Sequence, residues 1–166
     1  MNRKLELVSE TIGELLVKQL AHELKNYNLY MSFANYFGVE GIDDLKTYYE
    51  KRANEELNHH KWIYDYLTEA DYKFIYPVVI QNDAQIEDYI TPFKATIDRE
   101  IQTTQLIYTI YKAAQTEGDI MTVVWLQNLL IREQIEEENI SRQALTIIEE
   151  ESDIYERAEQ ILNLLE

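Results

Sequence analysis

The chain has 166 residues, with 31 Asp and Glu against 15 Lys and Arg, a formal charge of −16. Phosphate recognition needs a basic face, so this balance excludes nucleic acid as an expected partner and suits the attraction of cations. The absence of cysteine removes disulfides, thiolate metal sites and rubredoxin-type iron centres, and no run is long and apolar enough to predict a membrane span.

Four Gly and two Pro, separated by long stretches, predict an all-α chain forming one domain over residues 1–166. Met1 to Leu7 lacks the apolar core of a signal peptide, so the expected location is cytoplasmic. The first helix is expected to start near Ser9 or Thr11, where Thr11 and Glu14 have capping-box spacing, and to end at Gly38 and Gly41. The turn that follows is short, so the second helix, from about Asp43 to Ala70, should run antiparallel to the first. The helical period then stops. Asp71 to about Ile90 reads as a long crossover carrying Tyr72, Phe74, Ile75, Tyr76, Pro77, Val78, Val79 and Ile80. Left in water that patch would invite association, so it should cover its own bundle or, the favoured expectation, lie in a subunit interface. Thr91 and Pro92 fit the cap and first position of a third helix that ends at Gly118. Asp119 should cap a fourth helix continuing to about Glu150, and Ile154 to Leu165 a short amphipathic fifth. The expected architecture is an antiparallel four-helix bundle over about 10–150, with one long crossover between helices two and three and a C-terminal helix over about 153–165.

Alternating steps of three and four residues trace one seam on each long helix. The first is Ile12, Leu16, Gln19, Glu23, Tyr27, Tyr30, Ala34 and Phe37. The second is Leu45, Tyr49, Arg52, Glu56, His59, Ile63, Tyr66 and Ala70. Phe93, Ile97, Glu100, Thr104, Ile107, Tyr111 and Ala114 form the third. The fourth is Val123, Leu126, Leu130, Glu133, Glu137, Ile140, Ala144 and Ile147. Each is apolar at its ends and ionisable near its middle. Isolated buried carboxylates cost several kcal/mol, so they must be paired, protonated or metal-bound. In an antiparallel bundle the midpoints meet at one level, which places Glu23, Glu56, His59, Glu100 and Glu137 together. The acids outnumber their counter-ions, so the expected partner is a divalent metal; oxygen donors with one nitrogen suit Fe(II), Mn(II) or Zn(II).

The bland alternative is that these acids lie on a solvated outer face, in a metal-free helical interaction protein. It would have to hold in four helices at once. Arg52, one turn from Glu56, could pair with it but cannot neutralise four carboxylates. Tyr30, two turns beyond Glu23, could hydrogen-bond a ligand, pass an electron or simply pack. Gln134 could hold a water or steer oxygen chemistry, and Glu55, Glu133 and Glu136 could form a further cation site. His22 and His60 read as surface histidines, and Glu136 to Glu138 and Glu149 to Glu151 as solvated helix faces.

At Ala21-His-Glu-Leu, Asn54-Glu-Glu-Leu-Asn-His59, Asp98-Arg-Glu100 and Arg132-Glu-Gln-Ile-Glu-Glu-Glu138 the chain resembles the bacterial non-haem ferritins, nearly end to end. The resemblance implies two irons per subunit, the first on Glu23, Glu56 and His59, the second bridged by Glu56 and held by Glu100 and Glu137 with Gln134 close by. It places Tyr30 beside the irons and a third site on Glu55, Glu133, Glu136 and Glu137. It also implies a hollow homo-oligomeric shell of 24 subunits, with the crossover at two-fold interfaces and the last helix near the four-fold axes. There are departures. No histidine follows His60, so the second site should be all-oxygen and the weaker one. Leu57 stands where bacterioferritins carry a haem-ligating methionine, so no haem is expected. Leu129 replaces a tryptophan that several bacterial ferritins carry, and Trp125 is a turn further away. The implied activity is ferroxidase chemistry on Fe(II) with O2 or H2O2, followed by storage as ferric mineral. The rival enzymatic expectation is a di-iron peroxidase of rubrerythrin type. DNA-protecting miniature ferritins are a weaker competitor, because their metal sites lie between subunits.

Overall fold

A computed structural model describes residues 7–80 and 84–166, so the expectations for Met1 to Glu6 and for crossover residues 81–83 lie outside the described residues. The described residues are all-helical, without a strand. Helix α1 spans Glu10–Val39 and α2 Asp43–Glu69, joined by the predicted short turn, in which Gly41 takes a left-handed φ of 74°. Ser9 caps α1 by accepting from Ile12 N at 3.2 Å. Thr11 is therefore already helical, and the Thr11–Glu14 box is not the cap.

Helix α3 spans Thr91–Glu117, and the described residues between α2 and α3, 71–80 and 84–90, have no regular structure. Thr91 is not the cap of α3. Ile90 holds that position, and Asp88 Oδ1 ties the helix start down by accepting from Ile90 N at 2.9 Å and from Thr91 N and Oγ1, both at 2.7 Å. Gly118 closes α3 with a left-handed φ of 72°, and Asp119 caps the next helix by accepting from Thr122 N at 3.0 Å. Among these long helices the fourth differs from expectation. It is broken at Leu129, whose φ of −118° and ψ of −88° are not helical, into α4, Ile120–Asn128, and α5, Leu130–Ile148. Leu126 and Leu130 are both buried on either side of the break. The tail forms α6, Ile154–Leu162, capped by Asp153, and a short 3-10 turn at Asn163–Leu165.

Helix α1 packs along α2 and α3 along α5, while α6 docks against α2 and α5. The apolar core is divided in two. One half gathers Phe33, Phe37, Tyr48, Tyr49, Phe93 and Ile148 with α6; the other gathers Leu16, Leu20, Ile63, Leu67, Ile107 and Leu126. The start of the crossover crosses the second half so closely that a Cβ on Gly13 would lie 2.1 Å from the Tyr72 ring. Beyond it, Ile75, Val78 and Ile80 are 92%, 89% and 78% exposed on the single chain while Phe74 and Val79 are half-buried, so the crossover lays only part of its apolar patch on its own bundle. No helix among the described residues is long and apolar enough to cross a membrane.

Candidate metal centre

Between the two apolar halves lies a polar layer, and it contains the acids the seams predict. Glu23, Glu56, His59, Glu100 and Glu137 are all buried, at 0%, 1%, 4%, 1% and 5% exposure. They arrive from α1, α2, α3 and α5, one or two from each, because the four rods cross this level together. Donor atoms of Glu23, Glu56 and His59 lie within 4.8 Å of one another, as do those of Glu56, Glu100 and Glu137. The two triads share Glu56. The reading of these acids as a solvated outer face does not hold.

Glu23, Glu56 and Glu100 each have a supporting hydrogen-bond donor. Gln19 Nε2 donates to Glu23 Oε1 at 2.6 Å, and Asn26 Nδ2 to Glu56 Oε2 at 3.4 Å. Glu100 receives Gln134 Nε2 on Oε2 at 2.8 Å, and both the Tyr30 hydroxyl and Arg52 Nη2 on Oε1, the arginine at 2.8 Å. Tyr30 thus both packs in the apolar half, beside Phe33 and Tyr49, and bonds one of the buried acids. Gln134 is buried where the fourth seam predicted Glu133, which is only half-buried. Arg52 does not make the Glu56 pair that its spacing allowed. Its guanidinium, 1% exposed, reaches across to Glu100 and to Glu137 Oε2 at 2.5 Å rather than pairing with Glu56. The Glu137 contact is a charge contact without hydrogen-bond angles, since Glu137 Oε2 is among the buried oxygens that have no donor.

The electrostatics fit an anionic cage short of cations. Burial, then the Glu56 charge, holds Glu23 well above the usual carboxylate range. Burial likewise raises Glu137 and Glu100, partly offset by Arg52. For Glu56 burial works the same way but loses to the adjacent His59, leaving it below its ordinary value. Burial alone would lower His59; the neighbouring Glu56 carboxylate outweighs it and lifts the imidazole to about 10. Oε2 of Glu23 and of Glu137 are buried with no hydrogen-bond donor. Orphaned, oxygen-rich acceptors beside one imidazole match the donor set of a divalent transition metal.

Of the four acids expected to form a third site, all line one cavity of about 80 Å³, together with Arg52. The close triad on this side is a different one, His59, Glu133 and Glu137. Glu136 is exposed, Glu55 half-buried.

His22 is not a surface histidine. It is 9% exposed, and its Nε2 lies 2.7 Å from Thr103 Oγ1. That hydroxyl donates to Arg99 O at 2.9 Å and accepts from Asn26 Nδ2 at 3.2 Å, so His22 Nε2 must be the donor. Burial, aided by Arg99, lowers His22 from 6.5 to about 4. Its unfolded form therefore protonates first as pH falls, so its contribution to stability is complete above 6.5 and lost towards 4. At 1.36 kcal/mol per unit the loss approaches about 3 kcal/mol. Denaturant unfolding of the metal-free protein at pH 7 and pH 4.5 should show this acid loss in the wild type and a much smaller one in His22→Gln. Equal losses would refute the assignment. His60 is half-buried and meets the Tyr76 hydroxyl of the crossover.

An all-α bundle with a buried, oxygen-rich cluster of acids and one imidazole at its middle is the class that fold and site define. A family model described as ferritin-like domain matches residues 13–150, and the chain belongs to that family. It is 28% identical over 133 residues to a bacterial non-heme ferritin of Staphylococcus epidermidis, covering 80% of each chain. To the bacterial non-heme ferritin of Staphylococcus aureus it is 26% identical over 134 residues, covering 81% of this chain and 80% of the relative. In fold it superposes on an open-pore ferritin of the archaeon Archaeoglobus fulgidus with a TM-score of 0.89, at 22% identity, covering 95% of this chain and 98% of that one.

Proposed function

We propose that this chain is an iron-storage ferritin that oxidises Fe(II) at Glu23, Glu56, His59, Glu100 and Glu137, and keeps the product as ferric mineral inside a shell of identical subunits. The observation that carries the reading is the shared carboxylate: two ligand triads, both buried and both including Glu56. In this reading Fe(II) is the substrate and each ion gives one electron to O2 or H2O2. Glu23, Glu56 and His59 hold the first ion, and Glu56, Glu100 and Glu137 the second. The amides of Gln19, Asn26 and Gln134 and the Tyr30 hydroxyl fix the carboxylates in place by donating to them.

The all-oxygen second triad, with no imidazole of its own, suits passage of iron rather than permanent tenure. Glu55, Glu133 and Glu136 then offer the next carboxylates on the way out. The exposed Ile75, Val78 and Ile80 support assembly through the crossover, with 24 copies as the family's shell. The bundle and α6 act as one domain in this reading, since α6 packs on α2 and α5.

Aerobic loading of the purified assembly with Fe(II) tests the proposal. Retention of hundreds of ferric ions per assembly is expected. Saturation at two ions per chain would replace storage with the di-iron peroxidase reading.

A further inference from the structure

We propose that Arg52 is the resident counter-cation of the Glu56–Glu100–Glu137 triad and must leave it before a divalent ion can bind there. The inference rests on reading that triad as a metal site. Arg52 Nη2 lies 2.8 Å from Glu100 Oε1 and 2.5 Å from Glu137 Oε2, which belong to two of its three acids. A transition-metal ion takes carboxylate oxygens at about 2.0–2.2 Å, so ion and guanidinium compete for the same oxygens. They also repel one another in a space where water screens little. Among the described residues the ion pairs of Arg52 are with Glu55, Glu100 and Glu137, none of which belongs to the Glu23–Glu56–His59 triad. A first ion can therefore enter without moving it.

The arginine is not locked where it stands. Two parallel bonds make a strong arginine–carboxylate pair. Here only Nη2 donates, also reaching Ser141 Oγ at 3.4 Å, while Nε and Nη1 are buried without a hydrogen-bond partner. Unpartnered buried donors weaken the arrangement. There is also a second station. The cavity of about 80 Å³ beside Arg52 is lined by Glu55, Glu133 and Glu136, and Nε is already 3.7 Å from Glu55 Oε2. Rotation of the side chain would exchange Glu100 for these outer acids and keep the guanidinium among carboxylates throughout. Arg52 is thus a positioning residue with two places to sit. It separates the filling of the two triads, and in its outer place it opposes a further cation in that cavity.

Anaerobic calorimetric titration with Fe(II) tests this in the wild type, Arg52→Gln and Arg52→Lys. In Arg52→Gln the second binding step should tighten by about tenfold or more, with the first changed by less than about twofold. A wild type that takes one ion and an Arg52→Gln that takes two is the same result in a stronger form. Arg52→Lys keeps the charge, so its second step should stay within about threefold of wild type. A folded Arg52→Gln whose second step is unchanged, weaker or still missing would overturn the role of Arg52. A merely structural arginine would shift both steps or neither. If Arg52→Gln does not fold, a Zn(II)-loaded crystal structure of the wild type decides. Both triads filled with Arg52 among Glu55, Glu133 and Glu136 supports the proposal; Arg52 still on Glu100 and Glu137 overturns it. A wild type that binds no ion at either triad sinks the metal-site reading as well, which keeps the two failures apart.

Discussion

Glu56→Ala is expected to lower the initial rate of Fe(II) oxidation by more than about 100-fold, beyond the 10–100-fold loss common for groups that only support a ligand. Glu56 is the one acid present in both triads, so its removal leaves each with two protein ligands. The helical fold should survive. Glu56 is one of four acids in a buried layer, and its loss relieves the repulsion that helps to raise Glu23, Glu100 and Glu137. His59 loses the carboxylate that keeps it charged and returns towards the neutral form that burial favours. Stopped-flow oxidation beside a circular dichroism spectrum checks both halves. Wild-type rates in a folded Glu56→Ala would refute the shared site.

The opposite pattern is expected of Phe37→Ala. Phe37 is 0% exposed, stacks on Tyr49 at 5.7 Å with the rings 4° apart, and meets Phe93 and Tyr36 at 6.0 and 5.1 Å. Truncating such a ring removes buried apolar surface and leaves a cavity, a loss of about 3–5 kcal/mol. Its neighbours belong to the apolar half that includes α6, so Fe(II) affinity should hardly change. Denaturant unfolding of the metal-free protein measures the first effect and anaerobic titration the second. A loss below about 1 kcal/mol would mean that this half of the core rearranges far more readily than its packing implies.

Much of this was legible from the order of residue types. The all-α bundle, the long crossover and the meeting of Glu23, Glu56, His59, Glu100 and Glu137 followed from helical spacing, because burying a charge is costly enough for its pattern to survive errors of one position. What failed were choices within that error. From Glu23 to Tyr30 the seam can step four then three, through Tyr27, or three then four, through Asn26. The second is correct: Asn26 is buried and donates to Glu56. The same ambiguity after Leu130 put Glu133 on the seam in place of Gln134, in the segment that follows the break at Leu129. Nothing in Asn128 or Leu129, neither Gly nor Pro, signals that break.

The spacing missed what Arg52 and His22 bond to for another reason. Their positions were right or nearly so, but partner choice depends on what faces them from other helices. Arg52 spans from α2 to acids on α3 and α5, and His22 finds Thr103 on α3. Pairings between residues 48, 85 or 81 positions apart leave no trace in local spacing. The cap of α3 was a nearer miss, Ile90 standing one residue before the Thr91 predicted, whereas Ser9, one of the two starts expected, does cap α1.

The central claim is that acids from four helices converge in the interior and bind divalent ions there. Anomalous diffraction at the iron edge, from crystals grown anaerobically with Fe(II), tests it most directly. Two peaks are predicted, one among Glu23, Glu56 and His59, the other among Glu56, Glu100 and Glu137. Iron found only on exposed acids such as Glu149 to Glu151, with the interior carboxylates unliganded, would contradict the account.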